Sequence, residues 1–543
     1  MQKVQSVVDS LIVWGSIIIL FLAGILVGSS LINNVQFLYV LTDIVTIIYI
    51  VGKGIKKEKI INDKIDIYIC VLLFSSIVPI LFGTYTSLND SIGFVLKYST
   101  IVFMYFIVKD SIRNNKKILN CYINTILSIG VVLVFLGMDR LTYHYFKPIV
   151  EYLNITNLYQ GEIRLTSLFS YANSFAAVVG SCVFLSLGQS LNSDKIVVKS
   201  INNCIIFNLL CGLILSLSRM MYIVMIIIMI IYIYLNKNNK KRIEILENLI
   251  SIGILSVIYS AIFMKVLPTG EYNIVWINLI IFNIFSFIIT NILRYINNSI
   301  LKISKTKLII IIISVVCIIS IIGIILIKTP ENLTLFFTST SEKKVERHLS
   351  KIEGETKYVL KFDINAITQL NQESFCIEVL ERNEYWENLN RTNICFGNYS
   401  GTKEIEINTN KETTDIYIIF SAIEVNENTK LEIKKFELNG KEKILNYKFL
   451  PYDFVSKIEN INFTTQSVID RITYIKDAWK IIKDNWIFGI GGDGWQYRYM
   501  DVQEQTYVAR EVHSYPIQIL LEFGIIRIYI IYYSNYNNYS SIL

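Results

Sequence analysis

Eleven apolar runs, each about as long as a membrane-crossing helix, fill the first 327 residues of the chain. A helix needs roughly 20 predominantly apolar residues to cross a hydrocarbon core about 30 Å thick. Repeated runs of this length predict a helical membrane protein with many crossings. The runs cover residues 11 to 32, 35 to 51, 65 to 82, 92 to 108, 118 to 137, 167 to 188, 201 to 217, 219 to 235, 247 to 267, 273 to 293 and 308 to 327.

The composition agrees with this prediction. Of the 543 residues, 53% are hydrophobic and only 17% are charged, and the mean hydropathy is +0.47. Soluble domains carry about a quarter charged residues. The composition therefore excludes a soluble multidomain enzyme, a disordered regulator and a nucleic-acid-binding protein as interpretations of the whole chain.

The basic residues of the connecting loops predict the orientation. Alternate loops hold 19 Lys and Arg residues on one side of the predicted membrane and four on the other. Cytoplasmic loops are enriched in Lys and Arg. We therefore expect a cytoplasmic N-terminus and a polar stretch, from about 328 to 514, on the outer side of the membrane.

The sequence predicts four segments. Residues 1–327 form a bundle of eleven transmembrane helices, and 328–462 alternate polar and apolar residues in short runs typical of an extracytoplasmic β-sandwich. Residues 463–514 contain an amphipathic helix and a Gly-rich loop, and 515–543 contain the last transmembrane helix. The expected fold is mainly α, with about 12 transmembrane helices. Cys376 and Cys395 lie in the predicted sandwich. They either form a disulfide or are two separate thiols in the core.

The predicted amphipathic helix has apolar residues at alternating steps of four and three. Such a stripe indicates one face packed on an apolar surface, either the sandwich or the outer membrane surface. The stripe comprises Val468, Ile472, Ile475, Trp479, Ile482 and Trp486.

Gly489, Gly491 and Gly494 then spell GxGxxG, but this motif follows a helix. A dinucleotide site requires it between a strand and a helix. We therefore interpret the glycines as a helix end and a tight turn after Phe488. No cofactor is expected. Three dispersed histidines, with no DxD motif, indicate no metal site.

Cationic and base-like residues lie on or near the predicted outer side. Arginine binds phosphates through paired, charge-assisted hydrogen bonds, and a neutral imidazole accepts a hydroxyl proton near pH 7. Three arginines and one histidine supply these two properties: Arg164, Arg219, Arg471 and His513. Taken singly, each of them could also be an anchor at the membrane interface or a packing residue. Lys97, inside the fourth run, is either functional or close enough to the membrane surface to reach it.

Four stretches resemble successive signatures of the O-antigen ligase/polymerase family. They are RLTSLFSYANSFAAVV (Arg164 to Val179), LSLSRMMYIVMI (Leu215 to Ile226), RITYIKDAWKIIKDNWIFGIGGDGW (Arg471 to Trp495) and HSYPIQILLEFGII (His513 to Ile526). Their order and their side of the membrane also match the family. This resemblance covers the membrane scaffold and the end of the external loop.

The resemblance implies an inverting, metal-independent glycosyl transfer outside the cytoplasm. The implied donor is a glycan on undecaprenyl diphosphate, and the implied acceptor is a glycan hydroxyl. His513 would be the base, with Arg219 and Arg471 as further catalytic residues. Arg164, Asn173 and Glu522 would bind substrate.

The C-terminus departs from the family pattern. Arg527 stands where the family has a small residue, and further membrane helices would be expected after residue 543. The sequence therefore predicts a truncated or frameshifted C-terminus.

Two other functions stay open at this point. A lipid-linked oligosaccharide flippase or polysaccharide transporter has a similar helix count, but it usually shows two related halves. A non-enzymatic, sugar-binding membrane protein would act through the sandwich alone. Polymerase and ligase differ only in the acceptor, so the sequence does not separate them.

Overall fold

A computed structural model describes residues 2–26, 32–113, 115–148, 164–169, 171–236, 238–267, 270–300, 329–337, 344–350, 352–368, 373–383, 387–423, 429–449, 452, 455, 466–504, 507–525 and 527–528. The chain divides into two compact units. The first unit joins Met1–Ile129 to Asn462–Leu543, and the second is Gly130–Ile461.

Among the residues that the structure describes, ten long helices precede the β-region. They are α1 (Gln2–Leu26), α2 (Ile32–Lys56), α3 (Lys64–Leu81), α4 (Leu88–Ile112), α5 (Lys116–Leu141), α6 (Ala172–Leu191), α7 (Ile196–Leu215), α8 (Arg219–Leu235), α9 (Asn239–Val266) and α10 (Tyr272–Ile300). Three more follow it: α11 (Gln466–Asn485), the four-residue α12 (Trp495–Arg498) and α13 (Tyr515–Ile525). Within the described ranges the chain is mainly helical.

Nine of the helices in the described part of the chain are long and apolar enough to cross a membrane: α1 to α7, α9 and α10. They coincide with nine of the eleven predicted runs. The run at 219 to 235 forms α8, which has only 17 residues, and the run at 308 to 327 lies outside the described residues. Of the predicted last membrane helix, Tyr515–Ile525 form α13, and the two further described residues, 527–528, are also helical.

In the first unit, side-chain caps fix where α3 and α4 begin. Asp63 accepts a hydrogen bond from the backbone N–H of Asp66, and Asp66 accepts in return from that of Asp63. Ser87 accepts from the backbone N–H of Asp90 at the start of α4. These caps satisfy orphan N–H groups that each helix would otherwise leave unpaired.

In the second unit, polar pairs connect apolar helices. The Asn203 amide on α7 donates to Asn248 on α9 at 3.2 Å, and Asn208 donates to Asn283 on α10 at 2.7 Å. Hydrogen bonds of this kind hold helices together where the surrounding lipid is as apolar as the side chains. They fix α7 between two neighbours.

The β-region has two antiparallel sheets. Its strands are β1 (Leu333–Phe337), β2 (Lys344–Ser350), β3 (Lys357–Ile367), β4 (Phe375–Arg382), β5 (Asn388–Phe396), β6 (Tyr399–Asn408), β7 (Asp415–Ala422), β8 (Thr429–Leu438) and β9 (Lys441–Glu442). One sheet has the order β1-β8-β3-β6, with β9 paired to β8, and the other has the order β2-β7-β4-β5. Buried residues of both sheets, including Phe362 and Phe420, form one hydrophobic core.

Cys376 and Cys395 face each other on the paired strands β4 and β5 and form a disulfide. Of the two alternatives that the sequence left open, the structure therefore has the disulfide. Both residues are half-buried and lie outside the core of the two sheets. A disulfide is typical of exported compartments.

The predicted stripe on α11 is divided between a buried and an exposed face. Ile482 is buried and Ile475 packs beside it, but Ile472, Trp479 and Trp486 are exposed. Ala478 and Ile481 complete the buried face instead. Apolar periodicity gave the helix correctly, but it could not tell which apolar residues face the protein.

Candidate active site

Arg164 holds the loop between α7 and α8. Its Nε donates to the carbonyl of Ser216 at 3.1 Å, and its Nη2 donates to that of Leu217 at 3.4 Å. Leu217 has a left-handed backbone (φ 52°), which non-glycine residues rarely adopt. The guanidinium therefore supports a strained turn just before α8.

Asn173 and Arg219 meet the same loop. Ser218 donates to Oδ1 of Asn173 at 2.6 Å, and Arg219 is the first residue of α8. Arg164 and Arg219 also interact electrostatically. Two guanidinium groups beside one loop favour an anion, because like charges are stabilised by a shared counter-charge. The structure thus brings Arg164, Asn173 and Arg219 together in the second unit.

His513 lies in the first unit, two residues before α13. Its side chain is exposed and its backbone is left-handed (φ 57°). The preceding Val512 N–H donates to Oε1 of Gln518 at 2.8 Å, and Nε2 of Gln518 donates to Glu522 at 2.6 Å. Rare backbone conformations cost about 1–3 kcal/mol and persist where neighbours enforce them, often at active sites. Gln518 and Glu522 provide such enforcement here.

Glu522 also connects α13 to the Gly-rich loop. Its side chain is 2% exposed, and its backbone carbonyl accepts from the N–H of Gly491 at 2.9 Å. Burial raises the pKa of Asp493, while Lys97 opposes this rise. Glu522 therefore occupies a structural junction that Gln518 links to the backbone before His513, and its predicted contact with substrate stays a prediction.

A tyrosine on α11 lies beside the histidine. The ring of Tyr474 is 5.8 Å from that of His513, centroid to centroid, and Arg471 lies one turn earlier on the same helix. Tyr474 also packs on Tyr507 at 4.6 Å. The structure therefore places Arg471 and His513 on neighbouring segments of one unit.

Asp477 holds this arrangement from inside. It is 1% exposed and accepts from the hydroxyl of Tyr507 at 2.8 Å and from Nζ of Lys480 at 2.7 Å. Burial and the hydrogen bond to Asp477 raise the pKa of Tyr507, so its phenol remains a donor. Lys480 also pairs with Glu504 at 2.7 Å. These contacts connect α11 to the segment that leads to His513.

The glycines of GxGxxG allow two backbones to touch. Gly489 donates to the carbonyl of Asn485 at 2.9 Å and is left-handed (φ 75°), which confirms a helix end and tight turn. A Cβ at Gly489 would collide with the backbone of Glu522. Gly491 then donates to the carbonyl of Glu522 at 2.9 Å. The motif serves packing against α13, as expected from its position after a helix.

Lys97 and Arg527 lie near this junction. Lys97 is about two and a half turns into α4 and interacts electrostatically with Asp493. Arg527 is 1% exposed, and its guanidinium lies 3.9 Å from the ring of Tyr98 and 4.2 Å from that of Phe523. Contacts between cations and aromatic rings offset part of the cost of burying a charge. Arg527 therefore has a packed position in the first unit.

Several supporting residues were missed by sequence reasoning. Gln518 is four residues before Glu522, and Tyr474 is three residues after Arg471, so helical spacing placed both beside a candidate. Asp477 and Tyr507 gave no such signal, because their contact joins a helix to a distant loop. No cluster of three or more His, Cys, Asp or Glu side chains suited to a metal occurs among the residues that the structure describes.

Comparison with known proteins identifies the C-terminal part of the chain. Residues 428–531 match the family model described as O-Antigen ligase. This range contains Arg471, His513 and Glu522 and does not contain Arg164, Asn173 or Arg219.

No curated protein matches the chain. A solved structure titled "CBM4 structure and function" is similar at 11% identity over 21% of this chain and 71% of that one, with a TM-score of 0.17. The nine apolar helices of the described residues indicate a multi-pass membrane protein, and its residues 428–531 are similar to the O-antigen ligase family, which confirms the resemblance of the last two sequence motifs.

Proposed function

We propose that the protein transfers an undecaprenyl-diphosphate-linked oligosaccharide to a hydroxyl of an acceptor glycan, on the outer face of a bacterial cytoplasmic membrane. The match of residues 428–531 to the O-antigen ligase family carries this proposal, because the range includes the candidate base and one candidate arginine. Such a reaction assembles capsular, wall or other surface polysaccharide.

His513 is the base in this proposal. Its imidazole takes the proton of the acceptor hydroxyl while the hydroxyl oxygen attacks the anomeric carbon of the donor sugar. The bond between that carbon and the diphosphate oxygen breaks, and undecaprenyl diphosphate leaves with the bonding electron pair. Attack from the side opposite the leaving group inverts the anomeric centre. The exposed side chain of His513 and its enforced backbone support this role.

The arginines stabilise the leaving diphosphate. Arg219 and Arg471 would bind the phosphates as negative charge develops, and Arg164 and Asn173 would keep the 216–218 loop in shape. The hydrogen bonds of Arg164 and Asn173 to that loop support the second assignment. Positive charge from arginine makes a metal-independent reaction feasible, and no cofactor enters the proposal.

We assign the parts of the chain as follows. Residues 1–327 and 515–543 form the membrane bundle, and 463–514 supply the external helix and Gly-rich loop. Residues 328–462 form an extracytoplasmic β-sandwich. The two sheets with one core and the disulfide support this last assignment.

The test compares lipid-linked glycans in cells that carry wild-type protein, His513→Ala or His144→Ala. His144 is a matched control, since it is also exposed and left-handed (φ 60°). Loss of a general base typically lowers a rate about 10²- to 10⁴-fold. We expect short undecaprenyl-diphosphate glycans to accumulate with His513→Ala alone, at equal membrane expression.

Long glycan in all three strains would contradict the proposal and favour transport or sugar binding.

A second experiment distinguishes a polymerase from a ligase. Purified protein is given a labelled donor, and the acceptor that gains the label is identified. A polymerase extends a second lipid-linked glycan, whereas a ligase labels an acceptor that lacks the carrier.

A further inference from the structure

Helix α11 has a second face that the described residues leave uncovered. Its buried face, with Ala478, Ile481 and Ile482, packs in the core of the first unit. The opposite side is exposed from Ile469 to Trp486 at steps of three and four residues. This exposed stripe comprises Ile469, Ile472, Lys476, Trp479, Lys483 and Trp486.

The composition of the exposed stripe is specific. Ile472, Trp479 and Trp486 are 49%, 43% and 53% exposed, which is unusual for large apolar side chains on an external helix. Lys476 and Lys483 lie between them, and neither forms an ion pair with a residue that the structure describes. The stripe contains no acidic residue. Its surface is therefore apolar and purely cationic.

The C-terminal end of α11 meets the end of a membrane-crossing helix. The ring of Phe488 stacks on that of Phe82 with centroids 4.2 Å apart, and Phe82 directly follows the last residue of α3. The Thr86 N–H also donates to the carbonyl of Ile490 at 2.9 Å. Trp486 is two residues before Phe488, so it lies near the level at which α3 leaves the bilayer.

A second contact places Trp486 at the same level. Its carbonyl accepts from the backbone N–H of Ile525, at the end of the apolar helix α13, at 2.8 Å. Leu81 and Phe82, at the adjoining end of α3, are 63% and 59% exposed. The exposed stripe thus continues an apolar surface that already faces lipid at the end of a membrane span.

We propose that α11 lies at the outer surface of the cytoplasmic membrane, in the interface between headgroups and acyl chains. Its exposed stripe contacts anionic phospholipid there. Tryptophan concentrates at the boundary between headgroups and acyl chains, and lysines on an amphipathic helix attract anionic headgroups. Ile469 and Ile472 insert into the upper part of the acyl chains. This contact is independent of the reaction proposed above, and it would hold the segment that carries Arg471 at a fixed depth.

Tryptophan fluorescence in brominated lipid tests the contact. The full chain is reconstituted in vesicles of phosphatidylglycerol brominated near the top of the acyl chains. Trp479→Tyr and Trp486→Tyr are compared with Trp14→Tyr, a lipid-exposed control in α1, and Trp495→Tyr, a fully buried control. The chain has six tryptophans, so each exposed one accounts for about a sixth of the emission.

We expect the quenched fraction to fall for Trp479→Tyr and Trp486→Tyr, as for Trp14→Tyr, and to stay unchanged for Trp495→Tyr. In mixtures with unbrominated phosphatidylcholine, wild type should be quenched more than the bulk composition predicts. The double variant Lys476→Gln, Lys483→Gln should lose this excess, whereas Lys411→Gln, Lys441→Gln on the β-region should keep it.

Unquenched Trp479 and Trp486 would overturn the proposal. If the two tryptophans are quenched only after the protein is diluted in lipid, a second copy of the chain covers the stripe. If they are quenched at no dilution, another part of the same chain covers it. Quenching without preference for the anionic lipid would contradict the role of the two lysines.

Discussion

Gln518 determines the geometry of the candidate base although it bears no charge. Its amide accepts from the N–H before His513 and donates to Glu522, so one side chain links the strained residue to a buried carboxylate. Breaking such a bridge leaves buried partners unsatisfied, which costs about 1–3 kcal/mol. The position of His513 therefore depends on a residue that no catalytic motif marks.

We predict that Gln518→Leu raises amide exchange at Val512 by about 5- to 10-fold, as expected for the loss of one hydrogen bond worth about 1 kcal/mol. Hydrogen exchange of the full chain in detergent measures this effect. Gln518→Glu, which keeps an acceptor for Val512, should retain more of the protection. Equal exchange in Gln518→Leu and wild type would show that the bridge does not hold the loop.

Gly489 is a second residue with a sharp expectation. Its left-handed backbone and its contact with the backbone of Glu522 both exclude a side chain. Gly270 has the same φ of 75°, but a methyl group added there would meet no described atom within 4 Å, so it isolates the conformational cost. That cost is about 1–2 kcal/mol for a non-glycine residue in this region.

We therefore expect Gly489→Ala to lower the thermal unfolding midpoint much more than Gly270→Ala, by several degrees in detergent. The extra loss reports the collision, because both variants carry the same backbone penalty. Similar midpoints for the two variants would mean that the loop moves away from α13 at little cost.

At the scale of elements, the strands β2 and β7 carry a pH-dependent contact. His348 and Asp415 bond through Nε2 and Oδ1 at 2.6 Å across these paired strands. Burial alone would raise the pKa of Asp415, but hydrogen bonds from His348 and Thr414 outweigh it and hold the pKa below its ordinary value. The stabilisation from Asp415 is complete above the unfolded-state pKa of about 3.9. It disappears as the pH falls through the lower folded-state pKa.

We predict that β2 loses protection from hydrogen exchange as the pH falls below about 4, after correction for intrinsic rates. Asp415→Asn should remove this pH dependence, while Asp363→Asn on β3 should keep it. A wild-type β2 with constant protection over this range would contradict the assignment.

The elements show what the sequence could and could not predict. Long apolar runs and strict alternation gave the membrane helices and strands such as β8, because each pattern depends on local spacing. The buried face of α11 was predicted only in part, since Ala478 and Trp479 exchange the places that hydrophobicity assigns them. The bridge from Glu522 to the Gly-rich loop depends on two distant backbones meeting, which no local pattern encodes.

For the whole molecule, the basic loops predict one orientation in the membrane. The loop after α5 and the loop after α6 should lie on opposite sides, because only the latter belongs to the basic set. Alkaline phosphatase fused after Tyr145 should be active in the exported compartment, and fused after Asp194 it should be inactive. Both positions lie in described loops beyond a helix end. The reverse pattern of activity would mean that the proposed site faces the cytoplasm, and it would contradict the proposed orientation.

The first compact unit is assembled from the two ends of the chain, with the 332 residues of Gly130–Ile461 between them. A ribosome adds about 5–20 residues per second, so roughly 20 to 60 s separate the synthesis of the two parts. During that time the ends of α3 and α4 lack the partners that Phe488, Ile490 and α13 later supply. The N-terminal helices therefore remain incompletely packed in the membrane until the segment that carries the candidate base has been synthesised.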